Sequence, residues 1–184
     1  METSLQEKVL KSIEILKDKQ ARIYFLTQDT KGNAKASVRF IYQVAKTLKD
    51  AGFNPIILHE KNDYAGVAKW LGEEYMNIPH RVIEGQNLEI SPEDFLVVPE
   101  IFGFMMEQVK QLPCAKVVLA QSYGYIVETL QPGQNWAQYG FFKCITTTNN
   151  QKEYIEKVMR QSSFDIIKPY ISETFHPKLQ PPMP

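Results

Sequence analysis

Cysteine is scarce in this chain: Cys114 and Cys144 are the only two in 184 residues, far apart and with no histidine at ligand spacing. That excludes a disulfide framework and a zinc site as readings, and leaves two buried free thiols. Excess charge is also missing. Lys plus Arg number 21 and Asp plus Glu 21, so no net field draws the protein to nucleic acid or anionic lipid. No segment approaches the roughly 18 apolar residues that a membrane span needs. The start, Met1-Glu-Thr-Ser-Leu-Gln-Glu-Lys8, lacks the basic and apolar regions of a secretory signal. A cytoplasmic setting is expected, with the inner face of a membrane as one location within it. There is no internal repeat. No G-x-G-x-x-G follows the first strand pattern, which disfavours a dinucleotide-dependent oxidoreductase.

Apolar residues make up 43% and charged residues 23%, as in ordinary globular domains. Residues 21–168 read as one such domain, preceded by a leading segment, 1–20, and followed by a proline-rich segment, 169–184. In the first, Ser4 and Glu7 fit a capping box, and Leu5, Val9, Ile13 and Leu16 recur at helical spacing. Arg22–Thr27 then predicts a buried strand and Gln28–Asn33 the loop leaving it. Val38, Ile41, Tyr42, Ala45 and Leu48 predict an amphipathic helix with Gly52 at its C-cap. Asn54–His59 is the next strand, and near-continuous apolar strands alternating with helices suit a parallel sheet covered on both faces.

The alternation predicts a helix over 65–71, a short strand over 81–83, the strand Phe95–Val98 closed by Pro99, and a helix from Ile101 to Gln111 stopped by Pro113. Further strands are expected over 117–120, 144–147 and 165–167, with helices over 126–130 and 150–160. The fold class is α/β, a doubly wound, Rossmann-like parallel sheet. Pro169, Pro177, Pro181, Pro182 and Pro184 make the last segment a linker.

Ligands of open α/β sheets sit outside the carboxyl ends of the strands. Gly32, with Asn33, would let a phosphate approach the backbone there or simply form a turn. Gln121 and Tyr123 follow the fifth strand and would face the same cleft, unless Gln121 caps the next helix and Tyr123 packs on its base. Thr148 or Asn149 is first a helix N-cap and second a ligand contact. Trp70 is expected in or beside the core, whereas Trp136-Ala-Gln-Tyr139 stands in a loop that could cover the cleft. His59 and His80 fall at a strand end and a strand start and are read as having no partners.

The order of Tyr24-Phe-Leu-Thr27, Lys31-Gly-Asn33, Val38 to Lys49, Ala51-Gly-Phe53, Gln121-Ser-Tyr123, Ile145-Thr-Thr-Thr148 and Ile166-Ile-Lys-Pro-Tyr-Ile-Ser-Glu-Thr-Phe-His-Pro177 resembles the N-terminal domain of GT-B glycosyltransferases. It is most similar to the GT4-like, rhamnosyltransferase-like branch, over roughly residues 22–177. The chain departs from that pattern in having one glycine in the first loop and Tyr-Ile-Ser-Glu in the crossover. The resemblance implies the acceptor-binding half of a bacterial enzyme of polysaccharide biosynthesis, moving a sugar from a nucleotide-sugar donor to a glycan or other acceptor. It implies no metal and no cofactor beyond that donor, and a C-terminal donor domain or partner subunit without which this half is inactive. In an inverting reaction Asp29 or Glu100 would take the acceptor proton, although a solvated loop charge is the ordinary reading of each. Gly32, Asn33, Gln121, Tyr123, Thr148 and Asn149 would touch substrate. The competing reading is a stand-alone α/β binding or regulatory module for a nucleotide, sugar or protein.

Overall fold

A computed structural model describes residues 21–61, 65–85, 88–131 and 133–161. The expected leading helix, the strand at 165–167 and the proline-rich segment lie outside them. Six strands form one all-parallel sheet: β1 (Arg22–Thr27), β2 (Asn54–His59), β3 (His80–Val82), β4 (Phe95–Pro99), β5 (Ala115–Ala120) and β6 (Phe141–Thr146). Their order is β3-β2-β1-β4-β5-β6. The helices are α1 (Ala36–Asp50), α2 (Ala65–Leu71), α3 (Met106–Lys110), α4 (Tyr123–Thr129) and α5 (Asn149–Gln161). This is the Rossmann-like, doubly wound α/β architecture expected from the alternation.

The strands read as uninterrupted apolar runs because successive side chains serve opposite faces. Phe25, Ile57, Val97 and Leu119 join Val38, Ile41, Tyr42 and Ala45 of α1 and Val67 and Leu71 of α2. Tyr24, Leu26, Leu58, Leu96, Val98 and Val118 meet Met106 and Val109 of α3, Trp136, Tyr139 and Ile155 of α5 on the other side. Each fully buried aliphatic side chain, such as Ile57 at 0% exposure, contributes roughly 1.5–3 kcal/mol. Cys114 and Cys144 are buried free thiols, and burial pushes both thiols up from their ordinary range.

The expected helix from Ile101 to Gln111 is two elements, a 3-10 turn over Glu100–Met105 and then α3. Phe102, inside the first of them, leaves helical geometry at φ −88° and ψ 28°. α4 begins at Tyr123, earlier than the expected position 126. β6 begins at Phe141, because its ladder with β5 opens at the Lys116–Phe141 pair; exposed Phe142 and Lys143 hide that start in the apolar pattern. Trp136 is 5% exposed in the second core, so it is a core residue and does not cover the cleft. Trp70 packs beside the first core, with its indole N–H donating to Thr30 Oγ1 at 3.3 Å.

Candidate functional site

In a parallel sheet of this order, the connections leave β1 and β4 in opposite directions, and a crevice opens between their carboxyl ends. A cavity of about 310 Å³ occupies that place. Gln28 lines it from the end of β1, and Ala36, Ser37, Val38, Phe40 and Ile41 from the start of α1. Pro99, Glu100 and Ile101 line it from β4, Gln121, Ser122 and Tyr125 from β5 and α4, and Thr147 from β6.

Glu100 is the chemical centre of this wall. It is 2% exposed, although it directly follows a strand whose loop would ordinarily be solvated. One carboxylate oxygen, Oε1, accepts the Ser122 N–H at 2.6 Å, which ties the ends of β4 and β5 together. The other, Oε2, is buried without a protein hydrogen-bond partner. Burial raises the carboxyl above its ordinary pKa, and the backbone N–H groups of Gln121, Glu100 and Ser122 offset only part of that. A buried carboxyl with a raised pKa in a cleft at a topological switch point makes this a candidate functional site.

Gln121 adds the complementary defect, an amide nitrogen buried without a partner. The Gln121 backbone carbonyl is fixed, accepting from Gln151 Nε2 at 2.8 Å. Gln151 Oε1 in turn accepts from the Thr147 backbone N–H at 3.1 Å and from the Thr147 hydroxyl. One α5 side chain therefore braces the ends of β5 and β6 around the cavity. Across from Glu100, α1 begins at Lys35 with no side-chain cap and no acidic residue in its first turn. Its first N–H groups have no partner within the helix. Among the described residues no cationic side chain lines the cavity.

Of the residues singled out in the sequence, the structure brings Glu100 and Gln121 together here. The others do not line the cavity. Asp29 folds its carboxylate onto the Lys31 N–H at 2.8 Å in a local turn. Gly32, at φ +81° with open space about it, and exposed Asn33, whose N–H donates to Thr30 O at 2.9 Å, complete that turn. Tyr123 is exposed and sets its ring edge-on against Tyr154 at 5.2 Å. Thr148 is the N-cap of α5, its hydroxyl accepting the Gln151 N–H at 3.2 Å, and Asn149 is the exposed first residue of that helix.

Ser37, Tyr125 and Gln151 were not legible as site residues. They lie on helices, where only the strand order shows which turn meets the cavity. The reading of His59 and His80 as lacking partners is corrected. The β2–β3 register sets Ile57 opposite His80 and His59 opposite Val82, and the two imidazoles meet at 2.8 Å.

No family model matches the chain, and no curated protein or solved structure matches it either. Among the described residues no helix is long and apolar enough to cross a membrane, and no group of three or more His, Cys, Asp or Glu is arranged to hold a metal ion.

Proposed function

We propose that this domain binds a sugar in the cavity between β1 and β4, as the acceptor-side half of a glycosyltransferase that draws its nucleotide-sugar donor from a second domain or subunit. The observation that carries the reading is a pair of buried, orphaned polar atoms, Glu100 Oε2 and Gln121 Nε2, on two residues that line one cavity. One is an acceptor without a donor and the other a donor without an acceptor, and a hydroxyl group offers both. Ser37, Ser122 and Thr147 add hydroxyls, and Tyr125 adds an aromatic face at the wall. The cavity lies at the small end of the roughly 300–1,000 Å³ range of ligand pockets, a size that suits a single sugar unit better than a whole nucleotide-sugar.

In that role Glu100 accepts a hydrogen bond from an acceptor hydroxyl, and in an inverting transfer it takes that proton as the donor sugar is attacked. A raised carboxyl pKa suits a general base working near neutrality. Gln121 has no usable proton equilibrium and orients the same hydroxyl. The order of sequence segments that resembles the GT-B family supports this reading independently of the cavity.

The test is saturation-transfer NMR of the chain against a panel of neutral mono- and disaccharides, nucleotides and nucleotide-sugars. Neutral sugars are expected to bind and to be lost in Gln121→Ala and Tyr125→Ala. Nucleotides that bind in place of sugars, untouched by those substitutions, would replace the reading with that of a nucleotide-binding module.

A further inference from the structure

The cavity poses a charge problem that its occupant must solve. The N-terminus of α1 is fifteen residues' worth of aligned peptide dipole with no side-chain cap, and Ala36, Ser37 and Val38 bring it to the cavity wall. Alone, such an end attracts phosphate. Opposite it stands Glu100, 2% exposed and clamped through Oε1 to the Ser122 N–H at 2.6 Å, with Oε2 unpartnered. The carboxylate cannot swing into water, and no lysine, arginine or histidine among the described lining residues offsets it.

We propose that Glu100 is a specificity residue, restricting the cavity to uncharged, hydroxyl-bearing ligands and excluding phosphorylated ones. This rests on the sugar-binding reading and names which sugars fit. A ligand hydroxyl can donate to an acceptor such as Oε2 and accept from a donor such as Gln121 Nε2, the two atoms that the protein leaves without partners. The phosphoryl group of a phosphomonoester dianion has no proton to donate and sets like charge against Oε2; inorganic phosphate, as the hydrogen phosphate dianion, keeps one proton but brings the same charge. Two such charges roughly 5 Å apart at an effective dielectric constant of about 20 disfavour binding by a factor on the order of 100. That exceeds what one exposed helix N-terminus returns, typically less than a factor of about 10.

The experiment is calorimetric titration at about pH 8, which favours the ionised carboxyl, of wild type, Glu100→Gln and Glu100→Ala. The probes are a neutral hexose that binds in the NMR panel, its 6-phosphate, and inorganic phosphate. Gln keeps an oxygen for the Ser122 N–H while removing the charge, and Ala removes both, so a change shared by the two variants follows the charge. Wild type is expected to bind the neutral hexose and neither phosphate species, and both variants to bind the two phosphate species at least tenfold more tightly than wild type does. Wild type that binds the 6-phosphate as well as the hexose, or variants with unchanged phosphate affinity, would overturn the proposal. If no sugar binds any of the three proteins but phosphate binding rises in both variants, the sugar reading fails while the exclusion by Glu100 stands.

Discussion

His59 Nε2 lies 2.8 Å from His80 Nδ1, and the two rings stack with centroids 5.1 Å apart and 7° between their planes. A hydrogen bond at that distance needs one nitrogen with a proton and one without. The Tyr42 hydroxyl stands 3.5 Å from His59 Nε2, and the Asp29 charge in the β1 loop acts on His59. Burial, and then the His80 charge, push His59 down to about 3, against a smaller upward pull from Asp29. Burial alone lowers His80.

The pair therefore predicts acid sensitivity. A histidine whose folded pKa lies below its unfolded value of about 6.5 binds its proton more readily in the unfolded chain. Its stabilising contribution is complete above that value and is lost as pH falls from there toward the folded value. Stability should drop by up to about 1.4 kcal/mol per pH unit for His59 between about pH 6 and pH 4. Urea unfolding across this range in wild type and His59→Gln measures it. A wild-type curve as flat as that of the variant would mean that the pair titrates as it does in the unfolded chain.

Glu100 predicts the opposite slope. Its folded pKa is raised, so its favourable contribution is present below the unfolded value, about 4.3, and is lost as pH rises through the folded one. At neutral pH the ionised carboxyl is a standing cost to the fold. Glu100→Gln should raise Tm at about pH 7.5, with the gain fading near pH 4. A substitution that stabilises the fold while relaxing the choice of ligand is the pattern of a residue kept for function. A lower Tm at neutral pH would instead make Glu100 a structural strut between β4 and β5.

These two clusters also mark where the sequence stops being informative. Alternating use of the strand faces makes Tyr24, Phe25, Leu26 and Ile56, Ile57, Leu58 legible as strands, since hydrophobicity along the chain reports burial directly. Gly52, at φ +84°, was legible as a helix end for a similarly local reason. Glu100 and Gln121 could be placed at strand ends, but their meeting depends on β4 lying beside β5 in the sheet. The His59–His80 contact depends on the β2–β3 register. Gln151 carries no signal at all: a glutamine on a helix face reads as solvated until the helix is laid against two strand ends.

At the opposite end of the sheet, Asp94 holds β1 to β4. It is 2% exposed and accepts from Arg22 N at 3.0 Å, Arg22 Nε at 3.1 Å, Arg22 Nη2 at 2.6 Å and Ser91 N at 2.8 Å. Burial opposes its ionisation, but the hydrogen bonds from Arg22 and the backbone outweigh that and keep the carboxyl below its usual range. Asp94→Asn removes the charge from all of these bonds. Because the Arg22 side chain keeps 35% of its exposure, the cost should be about 2–3 kcal/mol, at the low end for breaking a buried pair. The midpoint of urea unfolding should fall with an unchanged slope. A midpoint within error of wild type would show that the backbone donors alone hold this corner.

Gly103 sets how closely the Glu100–Met105 turn and α4 approach. A Cβ at this position would stand 2.2 Å from Thr129 Cβ, 2.6 Å from its carbonyl oxygen and 2.9 Å from its Cα. Two of those three atoms are backbone, so no rotamer change relieves the contact and the two elements must separate. Separation moves Ile101 and Tyr125, which line the cavity from those two elements. Gly103→Ala should therefore cost about 1–3 kcal/mol, the usual range for overpacking, and weaken sugar binding even though residue 103 is not itself a lining residue. Thr129→Gly in the same chain removes the Cβ contact but not the one with the carbonyl, so it should restore part of the stability, beyond the sum of the two single changes. A Gly103→Ala protein that unfolds at the wild-type midpoint would mean that the turn and α4 are not in fixed contact, and the cavity wall they share would then be adjustable rather than built.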